Sequence, residues 1–422
     1  MSGPRLEIVA VGDELAHGSQ VDTNSAHIAR TLEALGCVAA RFHVVSDAPQ
    51  DVEATFREVG ARADLMLITG GLGPTEDDRT RHAAAAAVGA DLVFDPASWT
   101  EIGAWFAARG RKVGDDNRRQ ALLPVGATRL TNDWGTAPGF AMRIGRALAF
   151  SLPGVPSEMR AMLEHRVIPR IRAEFAGRLR PTAHRLLVVL GPTEAALGVK
   201  IADLMAAENE VKVGITPHFG LLTIRVVAEG SDEAGAGCAA DAVAAEVRRR
   251  VHGDLLYEGE GDPASRLLAA AARTGRTIAT AESCTGGLVA RMLTESPGSS
   301  QAFVGGYVTY ANARKIADLG VSPEVLASHG AVSETVARAM AEGLAARTGA
   351  SLALAVTGIA GPDGGTPDKP VGTVCFGLAL DGASSTWTRQ IPAVSREFVR
   401  TRAAFEILAV ALRRTLVADA PA

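Results

Sequence analysis

The run TIATA at Thr277–Ala281 passes into Glu282, Ser283, Cys284 and Thr285, then into the pair Gly286–Gly287 before a helical pattern begins. A serine at such a strand-to-helix turn can act as a nucleophile. Backbone N–H groups at a helix start can hold the oxyanion that its attack creates, and glycines let a substrate come close to the backbone. The alternative is that Ser283 or Thr285 only caps the helix. A serine nucleophile needs a base, yet beyond residue 262 there is a single histidine, His329, in a plain SHG turn. A lysine can take that role when burial leaves it neutral, with a tyrosine hydroxyl assisting proton transfer. The segment GGYVTYANARK offers Tyr310, Asn312 and Lys315 at a second strand-to-helix junction, although a lysine in a first helical turn is ordinarily solvated. A third segment, VTGIAGPDGGTPDKPVGTV, holds Thr357, Gly358, Gly361 and Lys369 in a loop rich in glycine and proline. Such a loop either cradles phosphate or is a plain turn-rich connection. Cys284 rivals Ser283 as nucleophile, since a thiolate at a helix N-terminus is activated.

The first part of the chain carries a different set. Asp13 and Glu14 end the run VGDE, Asn24 lies in VDTNS at a helix start, and ITGGLGPTEDDRT brings Gly70, Gly71, Gly73, Thr75, Asp77 and Asp78 to the next helix. Glycine amides suit a pyrophosphate, and Asp13, Asp77 and Asp78 are hard oxygen ligands of the kind that hold a divalent cation. Acidic residues at helix starts also satisfy the helix dipole alone. GTAPGF and SLPGVPSEM, with Gly154, add two tight turns to the rim.

These residues need sheet edges to present them. From Leu6 to about Pro169, β-branched runs alternate with amphipathic stretches, the pattern of a parallel sheet with crossover helices. From about Ile171 to Glu258, RLLVVLG, VKVGITP and LLTIRVVAEG with helices near Glu194–Leu204 and Glu233–Arg250 make a small α+β unit. YEGEGDP at Tyr257–Pro263 reads as a linker, and the alternation then resumes, closing on a long helix from Ser395. The expected domains are therefore 1–170, 171–258 and 262–418, in a chain of 422 residues whose 47% apolar content can fill several cores. With 43 basic and 47 acidic side chains and a formal charge of -4, no basic field supports nucleic acid binding. No export signal and no long uncharged apolar run occurs, so a cytoplasmic protein without a membrane segment is expected. The cysteines Cys37, Cys238, Cys284 and Cys375 are widely spaced and fit neither a disulfide framework nor a zinc site.

AESCTGGL, GGYVTYANARK, HGAVSE and VTGIAGPDGGTPDKPVGTV, in this order over residues 262–415, resemble the C-terminal domain of CinA proteins. That resemblance implies a metal-free and cofactor-free nicotinamide-nucleotide amidase that converts nicotinamide mononucleotide and water to nicotinate mononucleotide and ammonia. It also implies Ser283 as nucleophile, Lys315 as base, Tyr310 as proton relay or positioning group and Thr357 as a substrate or oxyanion contact. Substrate contacts are then expected from Thr285, Gly286, Gly287, Asn312, Gly358, Gly361 and Lys369, with Arg396 and Arg400 of SREFVR meeting the phosphate or standing as surface charges. GDE, DTN, GGLGPTEDD, GTAPGF and LPGVPSEM over residues 6–160 are similar to the three-layer αβα molybdopterin-binding fold of MoaB and Mog proteins, in the variant at the front of CinA proteins. In some relatives this domain hydrolyses ADP-ribose with a divalent metal. Here it implies a nucleotide site at Asp13, Glu14, Asn24, Gly70, Gly71, Gly73, Thr75 and Gly154, and a metal at Asp13, Asp77 and Asp78. GGLG in place of GGTG argues against molybdopterin as ligand. The middle unit resembles the KH-like connecting module of these proteins, without a basic GxxG loop, and is read as a spacer. The family also implies a homodimer. Two other possibilities stay open: a non-catalytic partner protein in competence or DNA damage, and a purely pterin-binding N-terminal module.

Overall fold

Leu6–Val11 and Leu65–Thr69 are buried along their whole length, as strands covered on both faces must be. The computed structural model describes Gly3–Asp419 and divides into two units: the chain up to His184 with Val227–Asp241, and Arg185–Val226 with the chain from Ala242.

In the first unit a six-stranded sheet runs in the order Ala39–Val45, Leu6–Val11, Leu65–Thr69, Ala147–Leu152, Gly139–Ile144, Thr128–Leu130. The first four strands are parallel, and the last two join antiparallel. The expectation of a parallel sheet is corrected here to a mixed one. The tight turn Gly145–Arg146 makes Gly139–Leu152 a hairpin, which leaves no room for a crossover helix. Alternate residues feed two cores, one packing Leu6, Ile8 and Leu67 against Ile28 and Met159, the other packing Val9, Met66 and Ile68 against Val52 and Phe56. This is a three-layer αβα arrangement.

In the second unit a five-stranded sheet has the order Phe303–Val308, Ile278–Glu282, Leu352–Gly358, Thr373–Leu380, Ala383–Gln390. The first three strands are parallel and the last two antiparallel. Its faces differ in size. Ile278, Leu352, Leu354 and Phe376 meet the closing helix Arg396–Ala418, while Ala279, Ala281, Ala353 and Ala355 meet Glu334–Thr348. Small side chains let that second helix sit close, and a Cβ on Gly377 would strike the carbonyl of Ala337. The polar strand Ala383–Gln390, ASSTWTRQ, is an edge that apolar alternation does not reveal.

A four-stranded sheet, in the order Lys212–His218, Leu221–Glu229, Thr182–Leu190, Leu255–Glu258, makes up the middle of the chain. Leu255–Glu258 is a strand reaching into the stretch expected as linker, with Tyr257 opposite Val188. Phe219, at φ 42, stacks on Phe405 of the closing helix with 5.1 Å between centroids. The Arg402 guanidinium fills the place where a Cβ of Gly220 would go. Among the described residues no helix is long and apolar enough to cross a membrane.

Candidate active site

Ile278–Glu282 is flanked by parallel neighbours on both sides, so its C-terminal end opens where chain connections leave in opposite directions, the place where α/β sheets gather their ligands. Ser283 follows directly, its N–H donating to the Val356 carbonyl at 2.9 Å. From the neighbouring strand the chain turns through Thr309 and Tyr310 into the helix Asn312–Leu319, which carries Lys315 inward. Lys315 is 1% exposed, and its Nζ lies 3.1 Å from Ser283 Oγ, 2.8 Å from the Thr309 carbonyl and 3.2 Å from the Tyr310 carbonyl.

Three partners for one amine decide what it can do. Protonated, the amine donates to all three oxygens; once neutral, it has two N–H groups for the two carbonyls and a lone pair left for the serine hydroxyl. Burial holds the lysine pKa below its ordinary 10.5. Cys284 is also buried, and burial pushes its thiol up to about 12 with Glu282 adding to the shift, which favours the thiol over the nucleophilic thiolate.

The helix after Ser283, Leu288–Thr294, does not offer its leading amides to an oxyanion, contrary to the sequence expectation. Glu282 accepts them: Gly287 N–H at 2.9 Å, Val289 N–H at 3.1 Å and Ala290 N–H at 2.8 Å. Among the described residues, the buried amides of Cys284 and Thr285 donate to no other residue, which makes them the unpaired N–H groups next to Ser283. Gly286 and Gly287, at φ 59 and 94, make the turn that presents them.

Arg400 donates to the Thr285 carbonyl at 2.7 Å, and Arg396 donates to the Gly361 carbonyl at 2.6 Å and the Tyr310 hydroxyl at 2.8 Å. The structure thus brings the Tyr310 carbonyl, not its hydroxyl, to Lys315; the ring is 58% exposed and its hydroxyl belongs to the arginine rim, which corrects the proton-relay expectation. Thr357 is buried on the strand next to Ser283 and donates its hydroxyl to the Ala331 carbonyl at 2.8 Å. Gly358 ends that strand, Lys369 donates to the His329 carbonyl at 2.9 Å, and Asn312 is exposed at its helix start.

The first unit has a cavity of about 390 Å³ lined by Glu14, Asn24, Gly70, Gly71, Gly73, Asp77, Asp78 and Gly154 among others. Asn24 donates to Thr69 Oγ1 at 3.0 Å and to the Gly154 carbonyl at 2.8 Å, tying the two rims together. Asp78 is committed to its own loop, accepting from Gly73 N–H at 2.7 Å, Thr75 N–H at 2.9 Å and Thr75 Oγ1 at 2.6 Å. The Gly70 amide donates to Leu152. Of the expected cradle Gly70, Gly71, Gly73 and Thr75, the Gly70, Gly73 and Thr75 amides are thus taken by protein partners, while among the described residues the Gly71 amide donates to no other residue. Asp13, Asp77 and Asp78 are not assembled as a ligand set: among the described residues no group of three His, Cys, Asp or Glu side chains is placed to hold a metal ion. Asp13 instead exchanges amide bonds with Asp47, at 2.9 and 3.0 Å. Burial and the charges of Asp13, Asp77 and Glu14 raise the Asp47 carboxyl.

Four residues here escaped the sequence analysis. Asp47 follows its strand much as Asp13 follows its own, which was a usable signal. Glu158, raised by burial, lines the cavity and accepts from Asn132 at 2.7 Å. Arg81, 2% exposed, ties the loop at Leu72 to the turn at Pro138 through their carbonyls, and no pattern announces it. Glu282 stood beside the serine without an assigned role.

Residues 7–173, 184–257 and 262–415 match in turn the family models for a probable molybdopterin binding domain, the damage-inducible protein CinA KH domain and the CinA C-terminal domain. A putative competence-damage inducible protein of Symbiobacterium thermophilum is 43% identical over 97% of this chain and 98% of its own. A CinA-like protein of Myxococcus xanthus is 40% identical over 99% of each chain. Among solved structures, the competence/damage inducible protein CihA from Agrobacterium tumefaciens is 41% identical over 37% of this chain and 92% of its own, with a TM-score of 0.34. Three family models in chain order and relatives similar over nearly their full length place this chain in the CinA family, with a molybdopterin-binding-like domain at its front.

Proposed function

We propose that the second unit hydrolyses the carboxamide of nicotinamide mononucleotide, giving nicotinate mononucleotide and ammonia. The observation that carries this is the Lys315 amine, buried, with its Nζ within hydrogen-bond reach of Ser283 Oγ and of the Thr309 and Tyr310 carbonyls. Lys315 takes the hydroxyl proton as Oγ bonds to the carboxamide carbon, and the amides of Cys284 and Thr285 hold the resulting oxyanion. The protonated lysine then gives its proton to the amide nitrogen as the C–N bond breaks, releasing ammonia and leaving an ester on Ser283. Water, losing a proton to Lys315, cleaves that ester to the carboxylate and restores the serine. No step requires a metal or cofactor.

Arg396, Arg400 and Lys369 support a phosphorylated substrate. Each donates to a backbone carbonyl, and among the described residues none of the three forms an ion pair, so their charge is available to a phosphate. The test is ammonia release with chelator present, comparing nicotinamide mononucleotide with its dephosphorylated riboside. Turnover of the nucleotide with a much lower kcat/KM for the riboside supports the proposal. No release from either gives precedence to a non-catalytic partner protein in competence or DNA damage.

For the first unit the proposal is confined to binding a nucleotide in the cavity at Asn24 and Gly154. Equilibrium dialysis with ADP-ribose tests it; retention of a pterin but no nucleotide would mark a pterin module instead.

A further inference from the structure

We infer that Glu282 is a positioning residue of the amidase site, and that its carboxylate, by taking the leading amides of the following helix, sets the turn that carries Ser283 and leaves the Cys284 and Thr285 amides to the oxyanion. This rests on the amidase proposal and deepens it. Glu282 is 1% exposed, and among the described residues it has no cationic partner. A buried carboxylate without a cation must be satisfied by hydrogen bonds, and here three backbone amides supply them, from Gly287, Val289 and Ala290. Its backbone is fixed as firmly as its side chain. Glu282 pairs with Val308 on one side and Val356 on the other, and its carbonyl accepts the Thr309 N–H at 2.8 Å. The Thr309 carbonyl in turn accepts from Lys315. One residue thus spaces the nucleophile from the base and anchors both ends of the turn between Ser283 and the helix.

A second consequence concerns the substrate. With its first amides taken by an internal carboxylate, this helix start has no leading N–H left for the phosphate, which leaves that role to side-chain cations such as Arg400, held on the Thr285 carbonyl.

The experiment compares wild type with Glu282→Gln and Ala290→Pro, the latter deleting one of the three N–H donors in a first helical turn that tolerates proline. The readouts are kcat and KM for ammonia release from nicotinamide mononucleotide, the labelling rate of Ser283 by a fluorophosphonate probe, and circular dichroism. Glu282→Gln, whose carboxamide turns an N–H₂ toward a backbone N–H, is expected to lower kcat about 10- to 100-fold with KM changed less than about twofold, in a folded protein. Ala290→Pro falls between the two, and labelling slows in the same order. Wild-type kcat and labelling in folded Glu282→Gln overturn the inference, as does a loss of activity that only tracks a lost fold in both variants. If wild type is labelled but releases no ammonia, the substrate assignment fails while the labelling series still decides the role of Glu282. If wild type is neither labelled nor active, both fall.

Discussion

In the proposed mechanism Lys315 is made a base by burial rather than by a charged neighbour. Because the folded protein holds its pKa below 10.5, the neutral form that can accept the serine proton becomes populated at a lower pH than for a free lysine. The sign is then fixed: kcat/KM rises with pH through one ionisation below 10.5 and is lost as pH falls through it. A pH–rate profile checks this, and a profile flat across that limb contradicts it. Lys315→Arg is expected to be inactive at every pH, since guanidinium does not give up its proton in this range. Arg400 acts differently. It reaches the Thr285 carbonyl from the closing helix, so Arg400→Ala is expected to raise KM for the nucleotide about tenfold or more while lowering kcat far less, the mark of a binding group. Steady-state kinetics on both variants separate the two roles.

The elements that place these groups were legible to different degrees. Strand-to-helix junctions at Ser283 and Lys315 could be read because buried strands and glycine turns punctuate the chain. What spacing does not carry is direction: the Tyr310 hydroxyl and its carbonyl sit on the same residue, and only the turn into Asn312–Leu319 decides which of them meets the lysine. Asp78 shows the same limit. An aspartate beside glycines fits a metal ligand or a loop brace equally, and only the folded loop shows that its carboxylate takes the N–H groups of Gly73 and Thr75. The strand Ala383–Gln390 escaped because a polar edge strand lacks alternation. The hairpin tip at His218–Leu221 escaped because its partner, the aromatic stripe Phe398 and Phe405, lies far along the chain. That contact has a measurable cost. Gly220 stands at φ 77 against Arg402, so Gly220→Val is expected to destabilise by about 1–3 kcal/mol through backbone strain and a displaced Arg402. Denaturant melts check it, and an unchanged midpoint contradicts it.

Across the second unit, the four-stranded sheet and the five-stranded sheet share one core. Val188, Leu190, Leu221 and Leu256 pack in the same cluster as Ile278, Leu354 and the closing helix residues Ile407 and Leu408. Arg413 fastens that helix to the Leu190 and Asp254 carbonyls, at 2.6 and 3.1 Å. The middle of the chain is therefore not a bare spacer: it covers apolar surface of the helix that bears Arg396 and Arg400. The stretch between the sheets is also pinned, with Gly259 N–H on the Leu186 carbonyl and the Tyr257 hydroxyl on that of Gly261. A protease site placed at Gly259–Asp262 should accordingly be cut without release of the fragments, which would elute together from a sizing column; separate elution contradicts the shared core. The central claim is narrower, that a serine made nucleophilic by a buried neutral lysine cleaves an amide. Ammonia release from nicotinamide mononucleotide by wild type, Ser283→Ala, Lys315→Ala and Cys284→Ala, all checked for folding, tests it most directly. Turnover by wild type and Cys284→Ala, with none from folded Ser283→Ala or Lys315→Ala, is the predicted result. Turnover that survives Ser283→Ala and disappears with Cys284→Ala would contradict it.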